Sequence, residues 1–258
     1  MIISVFFMIL FSSGCKDEEI IAKKISYNLV VKDVLGVTGT VTFTEESSTS
    51  TIIDIELTGI PAGTHPAEIC ANSAIEGGTT TIVLNPVDLT GRSSTLTTSM
   101  TYSQLIAYDG FVQVHLSSSE PNQIIAIGDI GGNVITATNV TYALSSVETY
   151  GITGSALFEK RVNGNTLVTL TMDGLLPGTI YPASINVGSI GTIGGGGIKK
   201  TLHSVNGSTG KSYTNIRGLD NGVIINYEDW LVYVGYINVY HTEPNNLNII
   251  SQGNIGAN

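Results

Sequence analysis

The sequence predicts an all-β chain of two tandem Greek-key β-sandwich domains, and three observations predict it. The first is a duplicated stretch. Gly110-Phe111-Val112-Gln113-Val114-His115 is followed by Ile124-Ile125-Ala126-Ile127-Gly128-Asp129-Ile130-Gly131-Gly132-Asn133, and the pattern returns as Gly235-Tyr236-Ile237-Asn238-Val239-Tyr240 followed by Ile249 to Asn258, with the same spacing from first glycine to last asparagine. The second is composition: 42% hydrophobic and 12% charged residues, with 30 glycines against 7 prolines, suit strands and tight turns rather than disorder. The third is strict alternation. Ile53, Ile55 and Leu57 alternate with Asp54 and Glu56, and the copy alternates Val168, Leu170 and Met172 with Thr169 and Thr171. Period two over such a run marks a half-buried strand, with one face packed and the other wet. At 258 residues the chain accommodates two ordinary domains.

In order, residues 1–14 read as a signal peptide. The apolar run Ile2 to Phe11 is shorter than the ~20 residues a bilayer span takes, and Ser12-Ser13-Gly14 supplies small residues before Cys15. Residues 15–24 form a tether that begins Lys16-Asp17-Glu18-Glu19. Repeat one is expected over 25–133 and a divergent repeat two over 134–258. The second copy closes the sequence, so Asn133 is expected to close the first unit. Tyr27, Gly36-Val37-Thr38-Gly39 and Phe43 match Tyr142, Gly151-Ile152-Thr153-Gly154 and Phe158. After the alternating strand comes a Gly/Pro turn in each copy, then His65-Pro66-Ala67-Glu68-Ile69-Cys70 against Tyr181-Pro182-Ala183-Ser184-Ile185-Asn186. Thr101 to Leu105 and Asn226 to Leu231 each place a capping residue three positions before a polar partner, which predicts one or two helical turns leading into the duplicated strand. Gly128 and Gly253 interrupt apolar strands. A bulge or a close approach of another backbone is expected there, with Asp129 and its counterpart Asn254 accepting backbone N–H groups and Asp129→Asn costing little.

The formal charge is −10, which excludes nucleic acid as a partner, since phosphate binding needs clustered Lys and Arg. The acid is uneven: residues 16–133 carry 14 acidic and 5 basic side chains (net −9), and 134–258 carry 7 and 6 (net −1).

Several motifs together resemble the CHRD (chordin-type) domain common in bacterial lipoproteins: His65-Pro66-Ala67-x-Ile69, Leu84-Asn85-Pro86-Val87-Asp88, Gly91-x-Ser93, Tyr102-x-x-Leu105, Tyr108-Asp109-Gly110 to His115, and Gly128-Asp129-Ile130-Gly131. The likeness covers roughly 25–133 and, more loosely, 140–258. It implies an immunoglobulin-like or copper–zinc superoxide dismutase-like sandwich and supplies no reaction. Residues 1–15 are similar to a lipobox, which implies that Cys15 carries acyl chains such as palmitate. Lys16, Asp17, Glu18 and Glu19 resemble the export tag of Bacteroidetes surface lipoproteins. Together these imply an outer-membrane lipoprotein exposed at the cell surface and held by its N-terminal lipid, with an extracellular protein or a glycan as partner.

Bacterial members of the family often carry His-Pro-Ala-His-Ile-His after the turn, similar to the His-x-His strand that holds metal in copper–zinc superoxide dismutases. Here Glu68 and Cys70 replace two of those histidines. His65, Glu68, Cys70 and His115 are therefore a candidate mixed set for zinc or copper, weighed against core packing for the cysteine and solvation for the rest. Trp230, Tyr236 and Tyr240 are a candidate sugar platform, weighed against plain packing. No Gly-x-Ser-x-Gly or other catalytic constellation occurs. The leading expectation is a non-enzymatic protein acting in adhesion, scaffolding or ligand capture. The alternatives are a metal-binding or redox module on the first cluster and a carbohydrate binder of a polysaccharide-uptake system.

Overall fold

The structure is a computed structural model and describes residues 22–148, 150–191, 196–241 and 248–258. The signal peptide, Cys15 and the Lys16–Glu19 segment lie outside the described residues.

The first eight strands are β1 (Lys24–Val31), β2 (Thr38–Ser47), β3 (Ser50–Thr58), β4 (His65–Ala71), β5 (Thr80–Val87), β6 (Arg92–Thr97), β7 (Asp109–His115) and β8 (Ile124–Gly131), with helix α1 (Tyr102–Ala107) before β7. Their sheet order is β5-β4-β7-β8-β1-β2-β3-β6. The second set is β9 (Ile135–Ser146), β10 (Thr153–Arg161), β11 (Thr166–Asp173), β12 (Ile180–Val187), β13 (Ile198–Asn206), β14 (Lys211–Ile216), β15 (Val234–Tyr240) and β16 (Ile249–Gly256), with α2 (Tyr227–Val232) before β15. These close a barrel in the order β10-β11-β14-β13-β12-β15-β16-β9. Strand for strand the two orders are the same, and the pairings β3–β6 and β4–β7 recur as β11–β14 and β12–β15. Such non-sequential antiparallel neighbours make the expected Greek-key crossings. The all-β, two-domain fold is therefore what the structure shows.

The sheets differ at one seam. In the second, Asn206 pairs with Lys211 and closes the ring. In the first, β5 and β6 meet through side chains: the Asn85 N–H donates to Thr95 Oγ1 at 2.8 Å and Asn85 Nδ2 to the Ser94 carbonyl at 2.7 Å.

Each sheet wraps its own core. One packs Leu29, Phe43, Ile53, Ile55, Ile69 and Val112, with Tyr102 and Leu105 supplied by α1. The other packs Phe158, Leu170, Tyr181 and Ile237, with Tyr227 and Trp230 supplied by α2. Both helices start in capping boxes, Thr101 with Gln104 and Asn226 with Asp229, which satisfy otherwise orphaned N–H donors.

The duplicated asparagines repeat their contacts. Asn133 Nδ2 donates to the carbonyls of Asn72 and Gly110, and Asn258 Nδ2 to those of Gly188 and Gly235. Asp129 Oδ1 accepts the Ala74 N–H at 2.7 Å, and Asn254 Oδ1 accepts the Ile190 N–H at 2.9 Å. Each side chain thus pins a crossing loop to the end of the duplicated strand. The expected acceptor role is present, but it spans a loop–strand contact rather than a local turn. Gly128 does not sit in a bulge. A Cβ there would lie 2.2 Å from the Asn28 carbonyl oxygen, and one at Gly253 would lie 2.1 Å from that of Ala143. The glycines allow β1 and β9 to cross close to β8 and β16. The register shift in the β7–β8 pair falls instead between Val114 and His115.

The joint between the sheets is polar and ordered. The Gly132 and Val134 carbonyls accept N–H groups from Asn163 and Val162 in the β10–β11 turn. Arg161, with no exposed surface, donates to Asp129 Oδ2 at 3.0 Å and to the Asn133 carbonyl. Asp109 receives Arg217 at 2.8 Å, Asn165 at 3.3 Å and Asn163. Glu76 Oε1 accepts the Asn215 N–H at 2.7 Å. The surplus acid of the first half thus meets Arg161 and Arg217 from the second.

Candidate functional site

The pairing of β4 with β7 sets Glu68 opposite Gln113, and the pairing of β12 with β15 sets Ser184 opposite Asn238. These pairs occupy matching positions on the outer faces of the two sheets. Cys70 and His115 lie two residues further along in the first, and Asn186 and Tyr240 in the second, so each quartet shares a face.

In the first domain the quartet is closed and ionic. Glu68 accepts from Thr80 Oγ1 at 2.6 Å, Gln113 Nε2 at 2.6 Å and His115 Nε2 at 2.9 Å. His115 Nδ1 lies 2.6 Å from the Pro121 carbonyl. Burial raises the Glu68 carboxyl, but the bonds from Thr80, Gln113 and His115 outweigh it, so the group lies below the ordinary 4.5. Cys70 packs behind it with Phe111, Ile124 and Ile127. Burial, and then the Glu68 charge, push its thiol up to about 12, which leaves it protonated and unreactive near neutral pH.

This geometry does not support the zinc or copper set. Glu68, Cys70 and His115 come together, but His65 has the inward parity of Ala67 and Ile69 and no exposed surface. Both His65 ring nitrogens face backbone carbonyls, Leu116 at 2.7 Å and Pro61 at 3.1 Å. The His115 nitrogens are engaged as well. Among the described residues no group of three or more His, Cys, Asp or Glu is placed to hold a metal ion. His65 instead ties down the Pro61 turn. Tyr181, its counterpart, does the same in the second domain, its hydroxyl accepting the Leu176 N–H at 3.0 Å.

A folded-state carboxyl below its ordinary value stabilises the fold above that value, and the contribution is lost as pH falls through the folded value. Glu68→Gln is therefore expected to be less stable than the parent at about pH 7, with the gap narrowing at about pH 3. Urea unfolding at both pH values measures it, and a gap unchanged with pH contradicts it.

In the second domain the quartet is neutral. Tyr240 Oη and Ser184 Oγ lie 2.9 Å apart, Asn186 Nδ2 donates to Ser184 Oγ at 3.1 Å, and Asn238 Nδ2 donates to Tyr240 Oη at 3.3 Å. Tyr236 Oη accepts the Gly196 N–H at 2.8 Å. These groups line a cleft of about 630 Å³, within the usual range for small-molecule sites.

The aromatic platform is corrected in one member. Tyr236 and Tyr240 line this cleft, but Trp230 has no exposed surface and lies in the core, edge-on to Phe158 and Tyr233 with ring centroids at 5.9 and 5.1 Å. Gln113 and Asn238, the cross-strand members of the two quartets, were not among the residues singled out from the sequence. Their signal was there in the duplicated stretch, where Gln113-Val114-His115 and Asn238-Val239-Tyr240 hold polar groups at alternate positions.

Comparison with protein-family models, with curated proteins and with solved structures finds no match to this chain.

Proposed function

We propose that this protein is a non-enzymatic, lipid-anchored cell-surface protein of CHRD type, in which the two barrels form one stiff unit for adhesion or scaffolding. The observation that carries the reading is the polar joint. Arg161 is buried between the domains, and Asp109, Asp129 and Glu76 of the first domain are each bonded to groups of the second. A flexible linker between independent catalytic or redox modules would have no use for a buried ion pair, whose desolvation is costly unless geometry is held. A tethered adhesin or scaffold gains from it, since a fixed spacing of binding surfaces removes conformational entropy from the bound state. The lipobox-like Ser12-Ser13-Gly14-Cys15 and the acidic Asp17-Glu18-Glu19 support attachment to the outer membrane and display at the surface.

The test is in cells. Labelled fatty acid is expected to enter the parent and not Cys15→Ser. Replacement of Lys16 to Glu19 by alanine is expected to abolish digestion by protease added to intact cells. Label in Cys15→Ser, or unchanged digestion of the alanine variant, contradicts the anchored, surface-exposed assignment.

A further inference from the structure

The two quartets occupy equivalent places yet differ in what they leave undone. In the first domain the Gln113 amide donates to Glu68, and that carboxylate also takes Thr80 and His115. In the second domain Ser184 stands where Glu68 does, so that quartet contains no carboxylate. Asn238 is only 4% exposed and its Oδ1 has no hydrogen-bond partner. A buried acceptor left unpaired costs free energy. Asn238 lines the cleft and donates its Nδ2 to the Tyr240 hydroxyl; its Oδ1 is itself enclosed, so what the cleft presents here is Tyr240.

The remaining walls define the ligand's chemistry. Among the described residues, every polar side chain lining the cleft is neutral: Ser184, Asn186, Thr201, Tyr236, Asn238 and Tyr240. With no charged side chain among the described lining residues, none of them pairs with a phosphate, carboxylate or ammonium. Between the polar groups lie Ile198 and Ile249 and the two tyrosine rings. A surface that alternates hydroxyls and amides with apolar and aromatic faces matches a molecule that does the same, and pyranose rings carry hydroxyl rims around apolar C–H faces. We infer that this outer-face cleft of the second barrel binds a neutral saccharide, with the Tyr240 and Thr201 hydroxyls meeting sugar hydroxyls and Ser184, Asn186 and Asn238 holding Tyr240 in place from behind. The quartet of the first barrel spends its donors on the Glu68 carboxylate instead.

The test applies purified full-length protein in detergent to an array of neutral and acidic glycans. Calorimetric titration of the best neutral glycan follows. Binding is expected to neutral glycans, with affinity lowered about ten-fold or more in Tyr240→Phe, the loss of one good hydrogen bond, and lowered in Asn238→Ala, which removes the Nδ2 donor that positions the Tyr240 hydroxyl. Tyr240→Phe keeps the ring and so the packing, and an unchanged far-ultraviolet spectrum and melting temperature establish that it folds. His115→Ala in the first barrel is expected to bind as the parent does. Absence of binding to any neutral glycan, binding confined to acidic glycans, full affinity in folded Tyr240→Phe, or occupation of this cleft by peptide probes instead would each overturn the inference. Those outcomes leave the lipid-anchored scaffold reading standing, because that reading depends on acylation and surface exposure.

Discussion

Asp129→Asn is expected to destabilise the protein by about 1–3 kcal/mol, the usual cost of leaving a buried donor without its acceptor. The asparagine keeps an oxygen for the Ala74 N–H, as Asn254 does for Ile190. What it removes is the counter-charge of Arg161, a fully buried guanidinium that cannot shed its proton. Burial pushes the Asp129 carboxyl above its ordinary value, and the Ala74 N–H and the Arg161 charge pull it back only in part. A carboxyl raised in the folded state contributes stability at low pH that declines as pH rises through the interval above 3.8, so the charge itself adds little; the cost of Asp129→Asn comes from the asparagine's Nδ2 donor, which takes the place of Oδ2 against the Arg161 donor. The pair as a whole is therefore expected to be replaceable: Asp129→Asn with Arg161→Met should return to within about 1 kcal/mol of the parent, since apolar substitution of a buried pair is often neutral. Urea unfolding of the four proteins of this double-mutant cycle gives the coupling. A single-mutant cost below about 1 kcal/mol would mean that Arg161 is solvated and the joint is loose.

Gly128→Val is expected to cost about 3 kcal/mol or more, because a new Cβ would overlap the Asn28 carbonyl oxygen, a backbone atom that no rotamer change can move aside. Gly253→Val meets the Ala143 carbonyl in the same way. Both are expected to lower the melting temperature sharply, and a variant that melts with the parent would show that β1 or β9 does not cross at that distance.

Much of this fold was legible in short-range pattern. Alternation at Ile53, Ile55 and Leu57 identified a strand whose apolar members are buried, and both capping boxes identified helices. The duplicated stretch marked Asp129 with Asn254, and Asn133 with Asn258, as equivalent, and their contacts are equivalent. What escaped was set by partners distant in sequence. Period two shows that Glu68 and Cys70 share a face but not that Gln113 and His115 complete it or that His65 faces inward. Residue type alone does not reveal that α2 turns Trp230 into the core. For Asp129 the repeat itself misled: Asn254 has the same loop contact, but only the first copy adjoins a second barrel, so interchange between copies hid the contact with Arg161. The acid excess of residues 16–133 was visible, yet charge counts do not name the arginines that meet it.

Backbone ¹⁵N relaxation of the protein lacking its lipid tests directly whether the two barrels behave as one body. Amides in both barrels are expected to report one common overall tumbling time, that of the whole particle, and Asp129→Asn is expected to separate them. Two distinct, shorter tumbling times in the parent protein would contradict it.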